Sequence, residues 1–185
     1  MQIHAVVTAA LGIVALAATT CANAQDPAQV KRGAYLATFG GCEDCHTPKI
    51  MTPKGPTPDG SRQLSGHQAS AKIPAVPAGV IGPDQWGALT NSDLTAWAGP
   101  WGVSFAANLT PDKDTGLGNW TVEQFISTMR TGKHLGVGRP LLPPMPWFDV
   151  AILSDDDMKA LFAYLRTVRP ISNKVPQPIP PKKAP

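Results

Sequence analysis

Two cysteines and a histidine stand close together, at Cys42, Cys45 and His46, in the run Cys-Glu-Asp-Cys-His. Thiols at this spacing can both add to the vinyl groups of one haem, and the residue after the second thiol is then held beneath the iron. The imidazole of His46 thereby becomes an axial ligand of that iron. The pattern predicts one covalently attached haem c, bound through both cysteines.

The same spacing has three other interpretations, which are a redox dithiol, a plain disulfide and half of a zinc site. A structural zinc site takes four ligands, usually as two pairs, and the sequence has no second cysteine pair. A thioredoxin-type dithiol belongs to a strand–turn–helix segment, whereas this motif follows a predicted helix and precedes a proline-rich loop. The histidine directly after the pair favours haem attachment over a disulfide.

A six-coordinate iron needs a second axial ligand from the side chains that follow. The candidates are the later methionines and histidines: Met51, Met129, Met145, Met158, His67 and His134. Two of the methionines, at 129 and 158, fall on the apolar faces of predicted helices. Met51 follows His46 too closely to reach the opposite side of the haem, and His67 is interpreted as a loop histidine.

Met145 has the sequence context that an axial thioether needs. A thioether is a weak, neutral ligand, so the chain must hold it in place. The residue lies in Leu-Leu-Pro-Pro-Met-Pro-Trp, where three prolines restrict the backbone and the apolar neighbours exclude water. We predict His46 and Met145 as the iron ligands, with His134 as the alternative to the methionine.

The first 24 residues have the pattern of a secretory signal peptide. Residues 5–18 are mostly small and apolar, and Ala22-Asn23-Ala24 matches the small-x-small cleavage pattern. The apolar run is shorter than the roughly 20 residues that a membrane-spanning helix needs. Cys21 offers lipidation as an alternative to cleavage. We predict export to the periplasm, with no transmembrane segment after the signal.

The composition argues against a nucleic-acid partner and for a loop-rich chain. The formal net charge is +3 and charged residues make up 16% of the sequence, which is too little for a dense basic surface. The 20 prolines and 17 glycines indicate turns and irregular loops. Because such a chain buries little apolar surface, a large apolar cofactor would help to fill its core.

Three predicted helices have to position the motif. The first spans residues 26–41, with an aspartate N-cap and a proline at its start and two glycines just before the motif. The second spans residues 121–132, where Thr121 and Gln124 form a capping box. The third spans residues 154–169 and begins with three aspartates that favour the positive end of the helix dipole.

The remaining segments are predicted to lack regular structure. Residues 47–100 are rich in proline and glycine and predict a long irregular loop, with at most a helical turn near residues 92–98. Residues 173–185 form a proline-rich tail, which is expected to be extended and unpacked from residue 175 onward. Between the signal peptide (1–24) and that tail, we assign one haem domain to residues 25–172.

Further motifs resemble those of a known family. Asn-Leu-Thr-Pro-Asp begins at residue 108, Thr-Gly-Leu-Gly-Asn-Trp-Thr follows from residue 115, and Pro-Met-Pro occupies residues 144–146. With the C-x-x-C-H motif, they resemble a class I c-type cytochrome, specifically one haem domain of the cytochrome c subunits of periplasmic alcohol and related dehydrogenases. The resemblance implies an all-α class I cytochrome c fold, with three to five helices around one haem and long irregular loops.

The resemblance also implies a function. It identifies the chain as an electron carrier or electron-transfer subunit of a respiratory chain, not an enzyme, with a dehydrogenase as donor and a cytochrome or oxidase as acceptor. The family's subunits usually carry two or three C-x-x-C-H motifs and this chain has one, so it would be either a free carrier or a subunit whose other redox centres lie on partner chains. The alternative function is a haem enzyme or gas sensor whose iron keeps an open or displaceable distal position.

Roles for further positions follow from the same resemblance. Trp120 and Arg139 are expected to donate hydrogen bonds to the haem propionates. The first and last helices are expected to cross closely, with Gly33 or Ala34 facing the region around Leu161 and its neighbour Tyr164.

Overall fold

The computed structural model describes residues 25–181, so the predicted signal peptide and Cys21 lie outside the described residues. The described part contains five helices: α1 Pro27–Phe39, α2 Cys42–His46, α3 Val122–Thr131, α4 Trp147–Ala151 and α5 Asp155–Leu165. It also contains five strands: β1 Lys49–Thr52, β2 Gly55–Pro58, β3 Leu89–Thr90, β4 Ala96–Gly99 and β5 Gly102–Phe105. Strands β1 and β2 form one antiparallel sheet, and β3, β4 and β5 form a second in that order.

The all-α prediction is wrong, because two small sheets accompany the helices. The first sheet lies inside the segment predicted to be irregular and contains two prolines, Pro56 and Pro58, on β2. N–H groups two residues apart on a strand point to the same side, and β2 has a single partner strand. The nitrogen atoms of both prolines can therefore face away from β1. Because no hydrogen bond to β1 is needed from these two nitrogens, the prolines do not prevent pairing.

The second sheet replaces the helical turn predicted near residues 92–98. In β4, Ala96 and Ala98 are buried and alternate with half-buried residues, which is the period of a strand. Gly99 pairs with Gly102 at the turn into β5, where Gly102 has a φ of 95° that suits a residue without a Cβ. Alanine and glycine have low β propensity, so the sequence of β4 does not reveal its alternating burial.

The predicted helix starts are confirmed. Asp26 accepts a hydrogen bond from the Ala28 amide at the start of α1, and α3 has the complete capping box. Ser154 caps α5, which ends at Leu165 and not at Arg169 as predicted. Caps depend on residues within one turn, which explains why local sequence identifies them.

Helices α1 and α5 cross at close range, as the resemblance implied. A Cβ on Gly33 would clash with the backbone carbonyl of Ala160 and would lie 2.8 Å from the Cβ of Tyr164. The Arg32 guanidinium, one residue earlier, donates two hydrogen bonds to the Asp157 carboxylate, at 2.7 and 3.0 Å. The absence of a side chain at Gly33 is therefore what allows the two helices to approach.

One hydrophobic cluster joins the helices and the loop segments. Its buried members are Leu36, Ala37, Leu64, Leu117, Phe125, Met129, Met158, Leu161, Phe162, Leu165 and Val168. Within residues 25–181, no helix is long and apolar enough to cross a membrane.

The described part of the proline-rich segment, residues 173–181, is extended and mostly exposed or half-buried, and it is bound to the domain at two points. Ile179 exchanges two backbone hydrogen bonds with Val103 of β5, at 2.8 and 2.9 Å. Asn173 is buried. An extended proline-rich chain can thus pair with a strand through the few residues that still have free amides.

Candidate functional site

Helix α2 is a single turn that contains both cysteines and the histidine of the motif. It follows Gly41, whose φ of 63° lets the chain turn sharply out of α1. Cys42 and Cys45 are free, half-buried thiols. Burial raises the pKa of Cys42 to about 11 and also raises the pKa of Cys45. A reactive redox dithiol needs a thiol with a lowered pKa, so these environments weigh against that interpretation.

His46 is buried and oriented by a backbone carbonyl. Its Nδ1 lies 2.7 Å from the carbonyl oxygen of Ala107, which can only accept a hydrogen bond. Nδ1 therefore carries the proton, and Nε2 keeps the lone pair that a metal ion requires. Burial lowers the pKa of His46, which keeps the imidazole neutral near pH 7.

The carbonyl that orients His46 belongs to a segment fixed by the Asn-Leu-Thr-Pro-Asp motif. The Asn108 side chain donates a hydrogen bond to the Ile171 carbonyl at 2.8 Å and accepts one from the Thr110 hydroxyl at 2.7 Å. The chain on the other side is held by the His67 amide, which donates to the Ala106 carbonyl at 2.9 Å. The motif thus works as a frame for the Ala107 carbonyl, a role that its sequence did not indicate.

Asn173 is a structural residue that the sequence analysis missed. Its side-chain amide donates to the carbonyls of Ser65 and His67 at 2.8 and 2.9 Å, and its oxygen accepts from the Ala69 amide at 3.0 Å. These bonds tie the C-terminal segment to residues 65–69, where the Gly66 amide donates to the His46 carbonyl. An asparagine within a proline-rich segment gives no local signal of such long-range contacts.

The loop that carries Met145 is anchored at three points. The Leu141 amide donates to the Gly132 carbonyl at 2.8 Å, and Lys133 and Pro140 form an isolated antiparallel bridge. The hydroxyl of Ser104, on β5, donates to the Pro143 carbonyl. The second sheet, which the sequence did not predict, therefore helps to position the methionine loop.

Trp120 and Arg139 lie on either side of His134. The Trp120 and His134 rings meet edge to face with centroids 5.1 Å apart, and the His134 amide donates to the Arg139 carbonyl at 2.9 Å. The Arg139 guanidinium is exposed and donates to the neighbouring Pro140 carbonyl at 3.3 Å. His134, the alternative distal ligand, thus packs against a half-buried tryptophan that contacts the hydrophobic cluster.

His67 is fully buried, although it was interpreted as a loop histidine. Its Nδ1 donates to the Thr95 hydroxyl at 2.8 Å, and that hydroxyl donates onward to Asp93 at 2.6 Å. Its ring packs on Phe105 with centroids 4.8 Å apart. Nε2 is buried without a hydrogen-bond partner among the described residues, as is the Trp97 indole nitrogen.

The comparisons with known proteins agree with the motifs. The gluconate 2-dehydrogenase cytochrome c subunit of Pantoea cypripedii is 32% identical over 163 residues, which cover 88% of this chain and 28% of the relative. The alcohol dehydrogenase (quinone) cytochrome c subunit of Gluconobacter oxydans is 30% identical, covering 91% of this chain and 28% of the relative. The fructose dehydrogenase cytochrome subunit of Gluconobacter japonicus is 30% identical, covering 85% and 25%.

This chain is a homologue of dehydrogenase cytochrome c subunits. It spans between a quarter and a third of the length of these three relatives. No family model matches it. The homology agrees with the cytochrome c domain of dehydrogenase subunits that the resemblance implied.

The residues present fit the haem c that this homology implies. Cys42, Trp120 and Met145 all pack against the same hydrophobic cluster, and His46 ends the turn that begins at Cys42. Two free thiols, an imidazole with an unprotonated Nε2 and a thioether beside apolar surface are the donors that such a haem takes.

Proposed function

We propose that this protein is an exported electron carrier or electron-transfer subunit that binds one haem c covalently. Cys42 and Cys45 would supply the two thioether bonds, and His46 Nε2 and the Met145 sulfur would be the axial ligands of the iron. The observation that carries this proposal is the hydrogen bond from His46 Nδ1 to the Ala107 carbonyl. That bond fixes the tautomer a metal ligand needs, directly beside two free thiols.

When bound, the haem supplies a one-electron couple between Fe(II) and Fe(III). The residues of this chain then have three tasks. The Ala107 carbonyl keeps the His46 ring in one orientation, the Ser104 hydroxyl holds the methionine loop, and the hydrophobic cluster excludes water. A thioether ligand stabilises the reduced form, so we expect a higher potential than two histidines would give.

The partners follow from the relatives. The three relatives are named as subunits of gluconate, alcohol and fructose dehydrogenases. We propose that a periplasmic dehydrogenase donates electrons to this chain and that a cytochrome or oxidase accepts them. The substrate oxidation would take place on the dehydrogenase, so this chain is not itself the enzyme.

Trp120 and Arg139 are proposed as hydrogen-bond donors to the haem propionates. Their common neighbour His134 supports a shared location, since it contacts the Trp120 ring and the Arg139 backbone. The exposed guanidinium of Arg139 is free to turn toward a carboxylate, because its described bond is to the adjacent residue.

Carbon monoxide distinguishes this function from the enzyme or gas sensor. The full chain, exported from a host that matures c-type cytochromes, is reduced and mixed with the gas. Because Met145 fills the distal position in our proposal, the spectrum should change little. Prompt and complete binding would instead support an open or displaceable position.

A further inference from the structure

Lys49 binds the end of the haem-attachment helix in a way that neither the motif nor the homology assigns. Its ammonium group donates to the backbone carbonyls of Glu43 and Asp44, both at 2.9 Å, and to the carbonyl of Thr47. An ammonium has three N–H donors, so these three acceptors match its charged form. Lys49 is half-buried, at the first position of β1.

Two of these carbonyls, those of Glu43 and Asp44, lie in the last turn of α2, and Thr47 is the C-cap residue that follows it. The last C=O groups of a helix have no partner within the helix and carry partial negative charge. In α2 this end lies at His46, and the helix also contains the carboxylates of Glu43 and Asp44. The Glu43 carboxylate is hydrogen-bonded to the Gln63 amide at 2.6 Å, which leaves its charge in place. The electrostatic potential beside His46 is therefore negative unless a nearby cation offsets it.

We infer that Lys49 is a positioning residue that fixes the C-terminal end of the attachment helix and raises the reduction potential of the haem held there. The inference rests on the proposed function. The oxidised iron carries one more positive charge than the reduced iron, so a nearby cation disfavours oxidation. Because Lys49 is half-buried and bound directly to the helix, solvent screens its charge less than that of a surface lysine.

Lys54 provides a matched control. It lies in the turn between β1 and β2, on the same hairpin as Lys49, and its side chain is exposed. Replacing either lysine by methionine removes one positive charge and keeps a chain of similar length. Lys49→Arg keeps the charge, and Lys49→Gln keeps a donor but loses the charge.

The experiment measures the midpoint potential and the haem content of the exported full chain and its variants. Lys49→Met and Lys49→Gln should lower the potential several times more than Lys54→Met does, and Lys49→Arg should stay near the parent protein. Lys49→Met should also lower the thermal midpoint, because the Asp44 and Thr47 carbonyls lose this donor and the Glu43 carbonyl is left with the Thr47 amide. If Lys49→Met does not acquire haem, the shift in potential of Lys49→Gln is compared with that of Lys54→Met instead.

Two results would overturn the inference. Equal shifts in Lys49→Met and Lys54→Met, or no shift in a variant with attached haem, would show that the helix-bound charge does not act on the iron while the proposed function stands. A parent protein without covalently attached haem would overturn the proposed function and this inference together.

Discussion

The Nδ1 atom of His46 donates a hydrogen bond to the carbonyl of Ala107, 2.7 Å away and 61 positions later in the sequence. This single contact links the attachment helix to the segment that follows β5. Because the acceptor is a backbone atom, its position depends on the side chains that fix the surrounding backbone. The strength with which the imidazole is held is therefore set by Asn108 and its partners.

Replacing Asn108 by alanine should weaken that frame. The Thr110 amide would lose its acceptor and the Ile171 carbonyl would lose its shorter donor, and an unsatisfied buried polar group costs about 1–3 kcal/mol. We expect a lower free energy of unfolding, measured by chemical denaturation of the haem-containing protein. Asn119→Ala removes an exposed asparagine with one backbone contact and serves as the control. Equal stabilities of the two variants would contradict the assigned role.

Met145→Ala tests the proposed distal ligand. We expect the haem to remain attached, because the thioether bonds do not involve this residue. The midpoint potential should fall by on the order of 0.1 V, since axial ligands set haem potentials over a range of about 0.8 V. Met51, which is 67% exposed, gives the control variant Met51→Ala. A potential and spectrum that Met145→Ala leaves unchanged would exclude this methionine as a ligand.

Gly33→Ala should destabilise the protein although alanine favours helices. The new Cβ would meet the Ala160 carbonyl and the Tyr164 side chain at the crossing of α1 and α5, and overpacking of this kind costs about 1–3 kcal/mol. Gly60→Ala adds the same atom where nothing lies within 4 Å, and it should be neutral. The comparison uses thermal unfolding, and a stabilised Gly33→Ala variant would contradict the close crossing.

The buried His67 should make the protein sensitive to mild acid. Burial lowers the pKa of His67 in the folded state, so the unfolded chain binds its proton first, below about pH 6.5. Stability is therefore highest above that pH and falls as the pH drops. In His67→Gln, the difference between the thermal midpoints at about pH 7.5 and pH 5.5 should narrow. An unchanged difference would show that this histidine does not contribute.

Local sequence predicted the parts of the fold that depend on near neighbours. Asp26, the capping box at Thr121 and the cap at Ser154 define helix starts through contacts within one turn. The close approach of α1 and α5 at Gly33 could be predicted because the family resemblance supplied the arrangement of the helices. Met145 remains a prediction, since its packing against the core is compatible with a ligand and with a core residue alike.

The features that the sequence did not reveal depend on long-range contacts. The central strand of the second sheet, β4, has alanine or glycine at three of its four positions, so its period is hidden. This sheet anchors the methionine loop through Ser104. The burial of His67 and Asn173 depends on segments about a hundred residues apart. No spacing rule encodes such pairs, because each partner is a backbone group that any residue type offers.

The mass of the denatured protein tests the central claim most directly. The exported full chain, made in a host that matures c-type cytochromes, is unfolded in acid and weighed beside a variant in which Cys42 and Cys45 are both alanine. We predict that the parent protein keeps the mass of one haem after unfolding and that the variant does not. A parent protein with the mass of the bare polypeptide and two thiols open to alkylation would contradict the account.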